Sequence, residues 1–303
     1  MVLLILTQAA HFCMGVFTTP HRLPVAFVSR RYDPAMNPVA LLHNTLARWG
    51  RRTLSTVQAW WQVMLMGAEV VVLALHPSSY AGADQRQAIL GSLYRATAPL
   101  LTWFLVLSAL ISLVLIRIVV ATAMSYGLSQ YALEVLVRTL VLELIPLYAA
   151  LFVAVRFSMP AAQQMRRQLA LWAREGQVPA HQDLLRRELL PRALGSAFSV
   201  LLLAALSCVI ALVLTYLNVY GLSPWGLPAY TRAVGGVFSP AVTLIFGLKT
   251  LFFALAVAFV PMASGAQRDS VGGYSRRSDI TEFARLLSVI LLLEVISLLG
   301  NYY

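Results

Sequence analysis

The chain has 303 residues, of which 59% are hydrophobic and only 12% charged, with a mean hydropathy of +0.76. Soluble domains carry about a quarter charged residues, so this composition excludes an ordinary soluble protein and predicts an integral membrane one. The net charge of +11 comes from 22 arginines and one lysine against 12 acids. The basic residues fall between apolar runs, which points to membrane topology and anionic lipid rather than to nucleic acid.

Residues 1–44 contain Pro20, Pro24, Pro34 and Pro38, which interrupt any helix, and an apolar start without the basic leading region of a signal peptide. They are expected to form a peripheral extension. Residues 45–75 pass from basic (Arg48, Arg51, Arg52) to apolar, with Trp60 and Trp61 suited to an interface. Gln58, Gln62 and Glu69 disfavour a true span, so a helix lying in the interface plane is expected. A polar connector at 76–87 and a short helix ending at Arg95 come next. Five segments then have the roughly 20-residue length that a bilayer requires: 99–124, 132–157, 193–216, 240–262 and 280–299.

Orientation follows from the arginines. The links 124–131 and 218–239 hold one basic residue, Arg232, whereas residues 156–192 hold Arg156, Arg166, Arg167, Arg174, Arg186, Arg187 and Arg192. The segment 263–279 adds Arg268, Arg276 and Arg277. The positive-inside rule places these basic loops and the N-terminus in the cytoplasm and, after five spans, the C-terminus outside. The link 218–239 is expected to be a wet loop or a short interfacial helix.

Few residues are candidates for chemistry. Cys13 and Cys208 are isolated and the five histidines lack zinc-ligand spacing, so neither a disulfide framework nor a metal site is expected. There is no G-x-x-x-x-G-K-[ST] phosphate loop, and the single lysine, Lys249, lies inside a span, so no ATPase motif is present and energy must come from elsewhere. An intramembrane enzyme is disfavoured, because no paired carboxylates or histidine motif converge with metal spacing.

Charges inside spans cost several kcal/mol unless paired or wet. Glu143 and Lys249 fall roughly 16 and 14 Å into their spans, and Glu294 some 10 Å from the far side of its own. These similar levels predict that Lys249 pairs with Glu294 or Glu143, either as a structural bridge or near the floor of a cavity. Pro146 is expected to kink its span and free a backbone carbonyl. Arg117, near the outer end of the first span, either snorkels to the interface or binds a lipid phosphate. Arg156 and Arg192 flank the basic loop, with Glu175 or Glu188 as possible carboxylate partners. Residues 165–175 can form a three-turn helix, ended by Gly176 and Pro179, with Leu169 and Trp172 on one side and Arg166, Arg167 and Arg174 elsewhere.

The order of several short motifs is more specific than any of them alone. Leu93-Tyr94 and Ser108-Ala109 come first, then Glu143-Leu144-Ile145-Pro146, Arg156, Met165 and Pro191-Arg192, then Lys249 in the fourth span and Glu294 in the last. In this order, over residues 47–300, the chain resembles the MlaE-type permeases, membrane subunits of bacterial ABC transporters that work with MCE proteins to move lipids between inner and outer membranes. It departs from them in the basic loop, which lacks the Glu-Gln run and the Asp-Ala or Asp-Pro signature. Gln163 or Gln164 also stands where a glutamate is usual, and Ser278-Asp279-Ile280-Thr281 replaces Ala-Thr-Thr.

The resemblance implies an all-α inner-membrane protein, an interfacial helix followed by five transmembrane helices, acting as a homodimer with a lipid cavity between the copies. It implies a separate cytoplasmic ATPase that binds the ATP, a periplasmic MCE protein and phospholipid as cargo, with no cofactor on this chain. The 165–175 helix would be the coupling helix that docks on the ATPase through Arg166, Arg167, Leu169, Trp172 and Arg174. A permease-like scaffold that has lost this coupling is the alternative.

Overall fold

The computed structural model describes residues 61–80, 82–127, 129–176, 180–266 and 276–302. The expected extension at 1–44, Cys13 and residues 45–60 of the expected interfacial helix lie outside them. Chain contacts separate Met1–Trp61 from Gln62–Tyr303, and the second unit holds everything below except Trp61.

Every regular element among the described residues is helical. In chain order they are α1 (Trp61–Leu75), α2 (Ala83–Ser125), α3 (Tyr131–Arg174), α4 (His181–Tyr220), α5 (Leu227–Val237), α6 (Pro240–Ala266) and α7 (Arg276–Tyr302). Five of these, α2, α3, α4, α6 and α7, are long and apolar enough to cross a membrane. The protein is an all-α membrane protein. Of the most apolar stretch of each span, 56% is buried in α3 against 22% in α2 and 17% in α7. Thus α3 is the central helix, and α2 and α7 turn apolar side chains such as Trp103, Leu110, Leu292 and Ile296 outward.

Two expectations about boundaries are corrected. The segment from 83 to 125 is one 43-residue helix with Pro99 inside it, rather than a connector, a short helix and a span. Of the arginine-rich stretch, residues 156–174 and 181–192 are helical, because α3 and α4 run on beyond their apolar stretches and carry the arginines on their ends. The three-turn helix expected at 165–175 is accordingly the last part of α3, which stops where Gly176 takes a φ of 69°.

Prolines organise α3 and α4 in a repeated way. Three π-helical turns, Val137–Leu144, Ala154–Ser158 and Leu185–Leu189, each finish two residues before a proline: Pro146, Pro160 and Pro191. Proline lacks an N–H and its ring presses on the carbonyl four residues back. A widened turn relieves that crowding without ending the helix.

The most extensive helix pair is α2 with α4. Its contact is lined by small residues, including Ser92 and Ala96 on α2 and Gly195, Ser196 and Ser199 on α4. A Cβ added to Gly195 would lie 2.7 Å from Ser92 Oγ and 3.1 Å from its carbonyl oxygen, so the backbones approach closely only because this residue is glycine. Ser199 Oγ donates to the Ala96 carbonyl at 3.0 Å across the same seam. With no hydrophobic driving force between helices in lipid, close packing of small residues and such bonds are what hold spans together.

The link 218–239 contains α5, so the short-helix alternative is the one found there. Tyr230 of α5 is buried against Tyr216 and Tyr220 and donates to the Leu212 carbonyl at 2.8 Å, tying α5 to the end of α4. At the opposite end of the bundle, α1 packs through Met66, Val70 and Leu73 on a cluster that includes Met165, Leu184, Leu189 and Leu190.

Candidate functional site

The site begins with Pro146. Its missing N–H leaves the Leu142 carbonyl without the usual helical donor, and the π turn before it shifts the Ile145 N–H onto the Leu140 carbonyl. The freed carbonyls are taken up by neighbouring helices: Lys249 Nζ of α6 donates to Leu142 O at 3.3 Å, and Cys208 Sγ of α4 lies 4.0 Å from Val141 O. The same irregularity sets the position of Glu143, one residue on.

Lys249 Nζ contacts the Glu143 carboxylate and lies 2.9 Å from Glu294 Oε2 of α7. The three side chains are 2%, 12% and 12% exposed, so an ionic cluster joining α3, α6 and α7 sits inside the span region. An unpaired ion here would cost several kcal/mol, and each partner makes the others tolerable. Fully ionised, the cluster carries one positive and two negative charges. Lys249 Nζ also lies 5.8 Å from the centre of the buried Phe253 ring, a further site of attraction for the cation.

Two cavities meet at this lysine. A space of about 10 Å³ bounded by Glu143, Lys249 and Ser297 has room for one water and polar groups to bind it. On the α6–α7 side, a cavity of about 200 Å³ is walled by Leu248, Phe252, Leu293 and Ile296, with Lys249 at its edge. A charged group beside an apolar hollow can hold a polar head at one end and hydrocarbon at the other.

The other expected residues are distributed differently. Arg117 is exposed, as is Arg156. Arg192 Nη2 is held by Glu188 at 2.7 Å and by Gln168 Oε1 at 3.0 Å, so of the two carboxylates considered for it Glu188 is the partner.

On the last turns of α3 the five residues expected to dock divide between two faces. Leu169 and Trp172 pack with buried Met165 against the protein's own cluster beside α1 and α4. Arg166 is ion-paired with Glu282 of α7, which is buried. The outward face is made by Arg167, Leu171 and Arg174, at helical spacing i, i+4, i+7, and Leu171 is 54% exposed. The apolar side found core to cover it within the chain, and that decided which side is exposed.

Sequence reasoning missed Glu282, Leu171 and a polar contact deeper in the bundle. There Tyr148 OH and Ser108 Oγ lie 2.7 Å apart beside a Phe104, Tyr148 and Phe152 ring cluster. Ser108 and Tyr148 had a signal, small or polar residues inside apolar runs, which is where interhelical bonds form. Among the described residues no group of histidine, cysteine and acidic side chains could hold a metal ion.

A comparison with curated proteins found no match. The family described as Permease MlaE matches residues 89–297, which includes all five long helices in whole or in part, the Glu143–Lys249–Glu294 cluster and the outward face of α3. That match spans more than half of the 303 residues, and the chain therefore belongs to the MlaE permease family.

Proposed function

We infer that the chain is the permease subunit of an ABC-type transporter that moves phospholipid between the inner and outer membranes. It lies in the inner membrane with its arginine-rich helix ends in the cytoplasm, and acts with a separate ATPase, a periplasmic MCE protein and a second copy of itself. The observation that carries this reading is the family match over residues 89–297. Two structural features support it. The ionic cluster of Glu143, Lys249 and Glu294 borders a cavity that is otherwise apolar, as cargo with a polar head and hydrocarbon tails requires. The outward face of the last α3 turns, where Leu171 and Arg174 are exposed, suits contact with an ATPase.

A permease-like scaffold without coupling is the second reading, favoured by the inward packing of Leu169 and Trp172 and by the unusual sequence of the basic stretch. ATP hydrolysis by the reconstituted complex separates the two. A transporter shows hydrolysis stimulated by phospholipid, whereas a scaffold leaves the ATPase rate indifferent to the lipid supplied.

A further inference from the structure

Two places carry the proposed function, the exposed turns at the end of α3 and the ionic cluster at Lys249. The helices α3, α6 and α7 each reach both, and they differ in stiffness. Along α3 the path from Arg166 to Glu143 takes about 23 residues, or roughly 35 Å at 1.5 Å per residue. It passes Pro160, the π turn Ala154–Ser158 and Pro146. Such irregular turns absorb a displacement by bending. Helix α6 is interrupted by Pro261 and meets α3 through Ala161, Ala162 and Met262, an apolar contact that can slide.

Helix α7 is different. The ion pair of Arg166 with Glu282 holds it to the end of α3, with the two side chains 19% and 10% exposed, and Glu294 holds it to Lys249 Nζ at 2.9 Å. Between these two carboxylates run about 12 residues, roughly 18 Å, of uninterrupted α-helix. That stretch contains neither proline nor glycine. An ion pair enclosed by protein fixes the register of its partners, because sliding one past the other strands a buried charge. The most apolar stretch of α7 is also the least buried of the five, at 17%, so little packing opposes its movement. Its Leu293 and Ile296 wall the cavity of about 200 Å³ beside Lys249.

We propose that α7 is the strut that carries movement of the ATPase-facing end of α3 to the Lys249 cluster and the cavity wall, with Arg166 and Glu282 as the positioning residues that engage it. This role rests on the transport function inferred above, and the two fail in different ways.

The test uses the full chain assembled with its ATPase and MCE protein in detergent, and reads ATP hydrolysis before and after phosphatidylethanolamine is added. Wild type is expected to be stimulated. Leu287→Gly with Ser288→Gly softens the strut and leaves both ionic contacts in place. Glu282→Gln loosens its attachment while keeping a hydrogen-bond acceptor for Arg166. Each variant should assemble and keep its hydrolysis without lipid, yet show stimulation about fivefold weaker, at the low end of typical coupling between sites. Stimulation at the wild-type level in either variant would overturn the strut and leave the transport function standing. Loss of assembly in both would also overturn it, and would make the ion pair a structural brace. A wild type that phosphatidylethanolamine does not stimulate would contradict the transport function, and the strut would fall with it.

Discussion

Lys249 is the residue on which most depends, because it is the cation that two buried carboxylates share. Replacing it with methionine strands both Glu143 and Glu294 and should destabilise the protein by about 3–5 kcal/mol, seen as a large fall in thermal unfolding temperature in detergent. Glu143→Gln or Glu294→Gln should cost much less, since each leaves one neutralised pair. Exchanging charges in Lys249→Glu with Glu294→Lys should recover part of the loss, and no recovery would show that this pair is not the one that matters. Gly195→Leu is expected to be among the most damaging single changes on α4, because even a Cβ meets Ser92 at 2.7 Å. The ionic cluster was legible in the sequence, since three ionisable groups at similar depth in apolar segments have few alternatives to one another. The donor to Leu142 was legible only in half: Pro146 announced a free carbonyl, but which side chain would fill it depends on how α6 packs.

Among the elements, the last turns of α3 show where sequence pattern stops short. The period of the apolar residues was readable, but an apolar stripe does not say whether its cover is a partner or the same chain. Here the cover comes from the cluster beside α1 and α4. Aspartate at Leu169 and Trp172 would therefore bury charge within the subunit and should prevent stable folding. Leu171→Asp with Arg174→Glu, on the outward face, should leave stability within about 0.5 kcal/mol while abolishing co-purification of the ATPase. Arg166→Ala belongs with the first kind, because it leaves Glu282 buried without its ion pair and should lower stability by about 3 kcal/mol or more. Helix ends were the other weak point: residues 83–87, 158–164 and 181–192 were expected as connectors, yet helices need not stop where the bilayer does.

Helix α5 offers a pH test of its attachment. Burial, and then the neighbouring Tyr220, raise the Tyr230 phenol to about 12, above its ordinary value near 10. A raised phenol pKa means that the neutral form is favoured in the folded state. Its contribution is thus complete below pH 10 and declines as pH rises from about 10 toward about 12. Tyrosinate absorbance should lose one late-titrating phenol in Tyr230→Phe, and Tyr230→Phe should lose about 1 kcal/mol with the bond to the Leu212 carbonyl.

For the whole molecule, composition alone fixed the class and the order of short motifs fixed the family, because both are properties of the complete chain that survive local divergence. What the linear sequence left open is how five spans divide between interior and periphery. The structure places α3 at the centre and leaves α2 and α7 with broad apolar faces, which lipid or a second copy must cover. The proposed assembly of two such chains, an ATPase and an MCE protein would use these faces, the ionic cluster and the exposed face of α3. The most direct measurement is transfer of labelled phospholipid between proteoliposomes carrying the assembled complex and the MCE protein. The account predicts transfer that requires both ATP and the permease and is lost with Leu171→Asp and Arg174→Glu. Transfer at the same rate with ATP omitted, or with that variant in place, would contradict it.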